Sequence, residues 1–215
     1  MRRISGLLCA FFLGGVLPSV ASAGAGPRPE AKVDDPVVRE EFQKALHLHQ
    51  MGVDGDEKAV VQAMSLLGDL HKEYPNDSLI LAFLGSACTL RARDAIFYQK
   101  MGYLREGLQA IDRAVEMDPE NPNVRVVRAV NSYQLPSVFG RRSVAREDFE
   151  QLILWADKDP DSFGEDLLRF TYYHAGLFAS RESNSQAKQL FYRALEVPSQ
   201  SVSDQEIERA LSEAS

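Results

Sequence analysis

Apolar residues return along most of this chain at three- and four-residue intervals, the spacing that keeps side chains on one face of a helix. After Asp35-Pro36, a cap followed by proline at a first helical position, the series Val37, Val38, Phe42, Ala45, Leu46, His49 predicts one such face. "GVDGDE" breaks it. Val60, Ala63, Met64, Leu67, Leu70 and His71 predict a second helix from about Lys58 to Lys72, closed by "EYPND". A third, around Ser78–Arg91, is the most apolar and is expected to be the most buried. No stretch has the alternation of a half-buried strand.

The fourth helix contains "GLQAIDRAVEMDPENP", residues 107–122. Gly107, Ile111 and Ala114 are spaced by four and three, and Pro119 stops the helix because it lacks a backbone donor and clashes with the preceding turn. Small residues on that stripe let a neighbouring helix come close. The spacing returns at Ala63, Leu67, Leu70 and Pro75. It returns imperfectly at Asp148, Leu152, Trp155 and Pro160, and at Ala187, Phe191, Ala194 and Pro198, one residue short at the last step. Four occurrences make an internal repeat.

"GLQAIDRAVEMDPENP" and "AKQLFYRALEVP" resemble the second helix and exit turn of tetratricopeptide repeats, and "LAFLGSAC" and "YYHAGLF" are similar to that family's first helix. The proline intervals, 44, 41 and 38, exceed the family's period of about 34. Residues are therefore inserted, notably in "RARDAIFYQKMGY" and "QLPSVFGRRS". The chain also looks similar to exported bacterial repeat proteins, including periplasmic components that accompany solute transporters. The resemblance implies an all-α fold of stacked antiparallel helix pairs, a tetratricopeptide-like α-solenoid of about four divergent repeats over residues 35–202. In "SVSDQEIERALSEAS", Ser203 and Glu206 form a capping box ahead of Ile207, Ala210 and Leu211, so 203–215 is expected to be a helix that closes the last repeat.

Composition adds location and excludes some partners. Arg2 and Arg3, the apolar run Ile4–Val20 and Ala21-Ser22-Ala23 have the order of a secretory signal peptide over residues 1–23. A permanent anchor fits less well, because Gly14, Gly15 and Pro18 interrupt a run shorter than the roughly 20 residues of a bilayer span. Residues 24–34 lack periodicity and are expected to be a flexible leader, and the mature protein to be periplasmic or secreted with no stable membrane insertion. Cleavage after Ala23 takes 24 basic residues to 22 against 31 acids, a net of −9, which disfavours nucleic acid and anionic lipid. The one remaining cysteine, Cys88, can form no intramolecular disulfide.

Candidate chemistry is sparse. His47 and His49 are two apart and cannot chelate one metal from one helix face. His174 sits among aromatics, as a packing histidine would. Nucleophile elbow, zinc-protease motif, phosphate loop and dinucleotide fingerprint are all missing. No catalytic residue, metal or cofactor is expected, and the chain reads as a non-catalytic binding or scaffold protein. Between Arg125 and Arg146 this acidic chain carries five arginines and no lysine. Arg125, Arg128 and Asn131 fall at three-residue steps on the first helix of the third pair, which in stacked repeats lines the concave surface; Arg141 and Arg142 follow in a loop. Together they are the candidate groove site, suited to a carboxylate or phosphate. Pairing with Glu147, Asp148 and Glu150 is the competing role. The leading expectation is a protein or peptide partner held through an acidic group or C-terminal carboxylate. The alternative is a periplasmic small-anion binding component of a transporter, which a deep enclosed pocket rather than an open groove would favour.

Overall fold

Aspartate and serine caps set where the helices begin. Asp56 accepts from the amides of Lys58 (2.9 Å) and Ala59 (3.1 Å), opening a helix over Glu57–Glu73, and Asp77 does the same for Leu79 and Ile80, opening Ser78–Asp94. The computed structural model describes residues 36–214; the expected signal peptide (1–23) and leader (24–34) lie outside the described residues. Among the described residues there are nine α-helices and no strand. They are α1 (Pro36–Val53), α2 (Glu57–Glu73), α3 (Ser78–Asp94), α4 (Phe97–Met117), α5 (Pro122–Gln134), α6 (Arg142–Lys158), α7 (Glu165–Arg181), α8 (Ala187–Glu196) and α9 (Asp204–Glu213). None of these helices is long and apolar enough to cross a membrane.

Proline fixes the exits. Tyr74, Asp118 and Asp159, each preceding a proline, have φ of −121°, −141° and −151° with ψ of 67°, 78° or between, the same departure from the helix three times over. Each gives its amide to the carbonyl four residues back, on Leu70, Ala114 and Trp155. The proline stop read in the sequence is thus one conformation at Pro75, Pro119 and Pro160, whereas Val197 before Pro198 is extended, at φ −82° and ψ 123°.

The described chain divides into two compact units, residues 36–127 and 128–214, with the division inside α5. In the first, α1 packs on α2, α2 on α3 and α3 on α4; in the second, α6 packs on α7, α7 on α8 and α8 on α9. The repeat positions are the core positions: Ala63, Leu67, Ile111, Ala114, Leu152, Phe191 and Ala194 are all completely buried. Trp155 is half-buried, and Ala156 beside it is buried instead. Ser203 accepts from the Glu206 amide and donates to its carboxylate, so the expected cap opens α9 with half of the capping box's bonding, and Ile207 is fully buried beneath it. Buried Arg169 secures the segment before α9 by donating to the carbonyls of Val197 and Val202, both at 2.8 Å, and to Asp204.

The inserted residues behave in two ways. "RARDAIFYQKMGY" lengthens α3 and α4, which turn sharply at Ala95-Ile96. "QLPSVFGRRS" forms a 3₁₀ turn over Ser137–Phe139, ended by Gly140 at φ +68°, a left-handed conformation that glycine adopts without steric cost.

The close approach implied by Gly107 is between α3 and α4. A Cβ on Gly107 would lie 2.6 Å from the Gly85 carbonyl oxygen, and one on Gly85 equally close to that of Gly107. Gly176 of α7 meets Phe191 of α8 in the same manner, its Cβ position 2.7 Å from the ring. The glycine of the first helix thus faces the second helix in both "LAFLGSAC" and "YYHAGLF". Gly107→Ala is expected to force these backbones apart and destabilise by roughly 1–3 kcal/mol. Gly102→Ala, with nothing near its Cβ position, should change little or stabilise slightly. Urea unfolding followed by circular dichroism checks both; equal midpoints for Gly107→Ala and wild type would refute the contact.

Candidate functional site: a groove between α6 and α8

Each arginine of the predicted cluster bonds to a group of the chain itself. Arg125, in the first unit, donates from Nη2 to the Pro119 carbonyl at 2.9 Å. Arg128 makes a two-pronged pair with Asp148, Nε to Oδ2 at 2.8 Å and Nη2 to Oδ1 at 2.7 Å. The Asp148 side chain is fully buried and that of Arg128 only 14% exposed. Asn131 is buried, Arg141 reaches Ser132 Oγ at 3.4 Å, and exposed Arg142 lies 3.4 Å from Glu182. Arg113, by contrast, faces water and pairs with Glu116.

Asp148 stands where the other repeats have Ala63, Gly107 and Ala187. A carboxylate at a packed, dry position needs a partner with matching geometry, and Arg128 supplies it. Two departures from the repeat pattern therefore explain one another, and this arginine is part of the core of the second unit.

The buried histidines are also structural. His49 Nε2 and Ser86 Oγ share a hydrogen bond of 2.8 Å in the first unit, and Tyr133 Oη and His174 Nδ1 one of the same length in the second. Burial lowers the His49 pKa to about 4; burial, aided by the nearby Arg181 charge, lowers that of His174 to about 3. Both rings are neutral at pH 7. His49 and Ser86 are at most 1% exposed, and Tyr133 and His174 are each 4% exposed, so neither pair is open to a substrate. Burial, with Glu106 nearby, pushes the half-buried Cys88 thiol up to about 11, which suppresses the thiolate.

The second unit does hold a groove, of about 430 Å³, with α6 and α8 as its walls and α7 as its floor. Phe149, Ile153, Ala175, Phe178 and Leu190 make the surface apolar. Phe149 and Phe178 stack at 5.5 Å between centroids, which fixes their rings. Charges close the two ends. At one, Arg146 (2.7 Å) and Arg142 (3.4 Å) share the single carboxylate of Glu182. At the other, Arg193 pairs with Asp157 and lies 4.1 Å above the Tyr172 ring. A smaller cavity of about 190 Å³, lined by Tyr133, Pro136, Arg142 and Arg181 among others, shares Phe178 and Glu182 with it. Arg142 and Arg146, at the end of the arginine-rich segment, thus reach the groove. Its apolar wall on α6 was legible only indirectly: "LILW" at 152–155 puts four apolar residues in one helical turn, so one must face outward, and Leu154 on the lip is 61% exposed. The convergence of Phe178, Glu182 and Leu190 depends on how α6, α7 and α8 pack, which no linear spacing encodes. Comparison of the chain with family models, with curated proteins and with solved structures gives no match.

Proposed function

We propose that this chain is a non-catalytic, exported binding protein of tetratricopeptide-like build, and that it holds a short amphipathic segment of a protein partner in the groove between α6 and α8. The observation that carries this reading is the groove's composition: an open, apolar trough with fixed aromatic rings, ended by ion pairs. A helix or extended segment binds such a surface by burying apolar side chains at regular steps and presenting its charges to the ends. From Arg146 to Asp157, twelve residues of α6 span about 16 Å, room for about three turns of a docked helix. Two guanidiniums on one carboxylate leave positive charge in excess at the Glu182 end, where an acidic side chain or a C-terminal carboxylate would be favoured. The small-anion alternative is less well supported, because this void is open and largely apolar.

Random peptides displayed on phage provide a test that needs no prior partner. The wild-type protein is expected to enrich sequences with apolar residues at three- and four-residue spacing and an acidic end. Leu154→Glu, at an exposed position on the lip, should weaken the selected peptides by about tenfold or more through loss of an apolar contact and like-charge crowding beside Glu150. The melting midpoint should be unchanged. Failure to enrich any peptide, or enriched peptides indifferent to both Leu154→Glu and Gln189→Arg, would remove the groove from recognition. Tight calorimetric binding of a dicarboxylate without peptide binding would favour the transporter alternative.

A further inference from the structure

Unit 1 presents an apolar feature of a different kind. At the turn between α3 and α4, Ile96 is 54% exposed, Phe97 91%, Tyr98 77% and Met101 59%. Single exposed apolar residues are ordinary, but four large ones on one corner are not. Phe97 and Met101 are four apart on the first turn of α4, and Tyr98 is three from Met101, so they share a side, and Arg105 continues the row. The corner is held firmly. Ala92, Ala95 and Leu104 are buried behind it, and Arg93 donates to the Gly52 carbonyl at 2.9 Å while bonding to Asp94. Lys100 donates to the Arg93 carbonyl at 3.1 Å, which ties α4 to the end of α3. Little ordering would be needed for this tip to bind.

We propose that this corner is a peripheral attachment point that seats Phe97, Tyr98 and Met101 in the interface of an anionic phospholipid membrane. Shape favours a lipid surface over a protein. The side chains project from a convex tip rather than line a hollow. Four of them offer on the order of 500 Å², short of the roughly 800 Å² per side of a stable protein interface. Their chemistry suits the headgroup region, where tyrosine and other amphipathic or apolar side chains enter about 5–10 Å below the surface. Charge is the second argument. Residues 91–106 carry four cations (Arg91, Arg93, Lys100, Arg105) and two acids (Asp94, Glu106), a net of +2 in a chain of net −7. Asp94 is spent on Arg93, and Glu57 at the start of α2 also faces Arg93, so the charges of Arg91, of Arg105 and of Lys100, whose ammonium donates to a neutral carbonyl, are left to meet lipid phosphates. Ile96 gives α4 no side-chain cap, so the positive end of that helix adds to the same field. The acidity of the whole chain argues against anionic lipid only if charge is averaged over the molecule; within residues 91–106, which form this corner, the sign is reversed, although the neighbouring α1–α2 turn carries Asp54 and Asp56, with Glu57 next to them at the start of α2.

The test uses the chain begun at Gly24, so that the apolar residues 4–20 take no part, with sedimentable vesicles of phosphatidylcholine alone or with one quarter phosphatidylglycerol. Wild type is expected to sediment with the anionic vesicles, weakly or not at all with the neutral ones, and less as salt rises. Phe97→Ser with Tyr98→Ser, and separately Lys100→Glu with Arg105→Glu, should each reduce the apparent partition by about tenfold or more. These positions are exposed or surface-facing, and unchanged circular dichroism would show that the fold is kept. In a Phe97→Trp, Trp155→Phe variant, anionic vesicles should shift the emission to the blue, and brominated acyl chains should quench it. No binding by wild type, or binding equal in the tip variants, overturns the proposal. Self-association that the serine variants abolish, without vesicle binding, would assign the corner to a second copy of the chain and also overturn it. Leu154→Glu should bind vesicles as wild type does, so the outcome is independent of the groove.

Discussion

Arg128→Ala is expected to destabilise the second unit by about 3–5 kcal/mol, the cost of leaving a buried charge without its partner. The substitution removes both donors from a carboxylate that has no exposure of its own, and water cannot replace them without opening the contact between α5 and α6. Trp155 of α6 is the chain's single tryptophan, so its fluorescence during urea unfolding reports the unit in question. Arg113→Ala, which removes an exposed pair with Glu116, should stay within about 0.5 kcal/mol of wild type. The decisive variant is the double one. Asp148→Ala restores the small residue found at this place in the other repeats, and with Arg128→Met it leaves no charge unpaired. It should regain most of the stability that Arg128→Ala loses, because replacing both partners by apolar groups removes the desolvation cost together with the attraction. A double variant as unstable as Arg128→Ala would show that Arg128 matters for something other than Asp148.

Acid is expected to produce the second large effect. In the unfolded chain His49 and His174 titrate near the ordinary value of 6.5, whereas the folded protein lowers them to about 4 and about 3. Between these limits the unfolded state binds more protons, so stability is full above about pH 7 and is lost as the pH falls from 6.5 toward 4. At pH 4 each histidine should have withdrawn about 3 kcal/mol. The two lie in different units, His49 in the first and His174 in the second, so their effects can be separated. His174→Gln keeps a polar group near Tyr133 and removes the titration. It should lower stability at pH 7 but flatten the difference between pH 7 and pH 4, read from Trp155 fluorescence, by about 3 kcal/mol. A slope identical to wild type would mean that folding does not lower the His174 pKa.

The repeat spacing located the helices well because each of its parts acts locally. Asp56, Asp77 and Ser203 cap their own helices, Pro75, Pro119 and Pro160 end theirs, and the three- and four-residue intervals name the side that must leave water. Even the close approach at Gly107 followed, since only a small residue lets a second backbone come so near. The arginine cluster is where linear reasoning stopped. Spacing places Arg125, Arg128 and Asn131 along one side of α5, but it does not say what each guanidinium meets. Asp148, twenty residues away in sequence, takes Arg128, and Arg142, expected in a loop, is the first residue of α6, where Glu182, forty residues on, holds it at the end of the groove.

Sequence by itself therefore determined an all-helical chain, the places where caps and prolines start and stop helices such as α2, α3 and α9, and the buried positions at Ala63, Ile111, Ala114 and Phe191, because capping, proline stops and helical periodicity act within a few residues along one strand of backbone. Tertiary structure alone decided which arginines are spent on buried carboxylates, where an apolar trough opens between α6 and α8, and which inserted residues protrude as the tip at Phe97. Ion pairing, groove shape and exposure are set by distances between side chains tens of residues apart, and those distances exist only once the helices have packed.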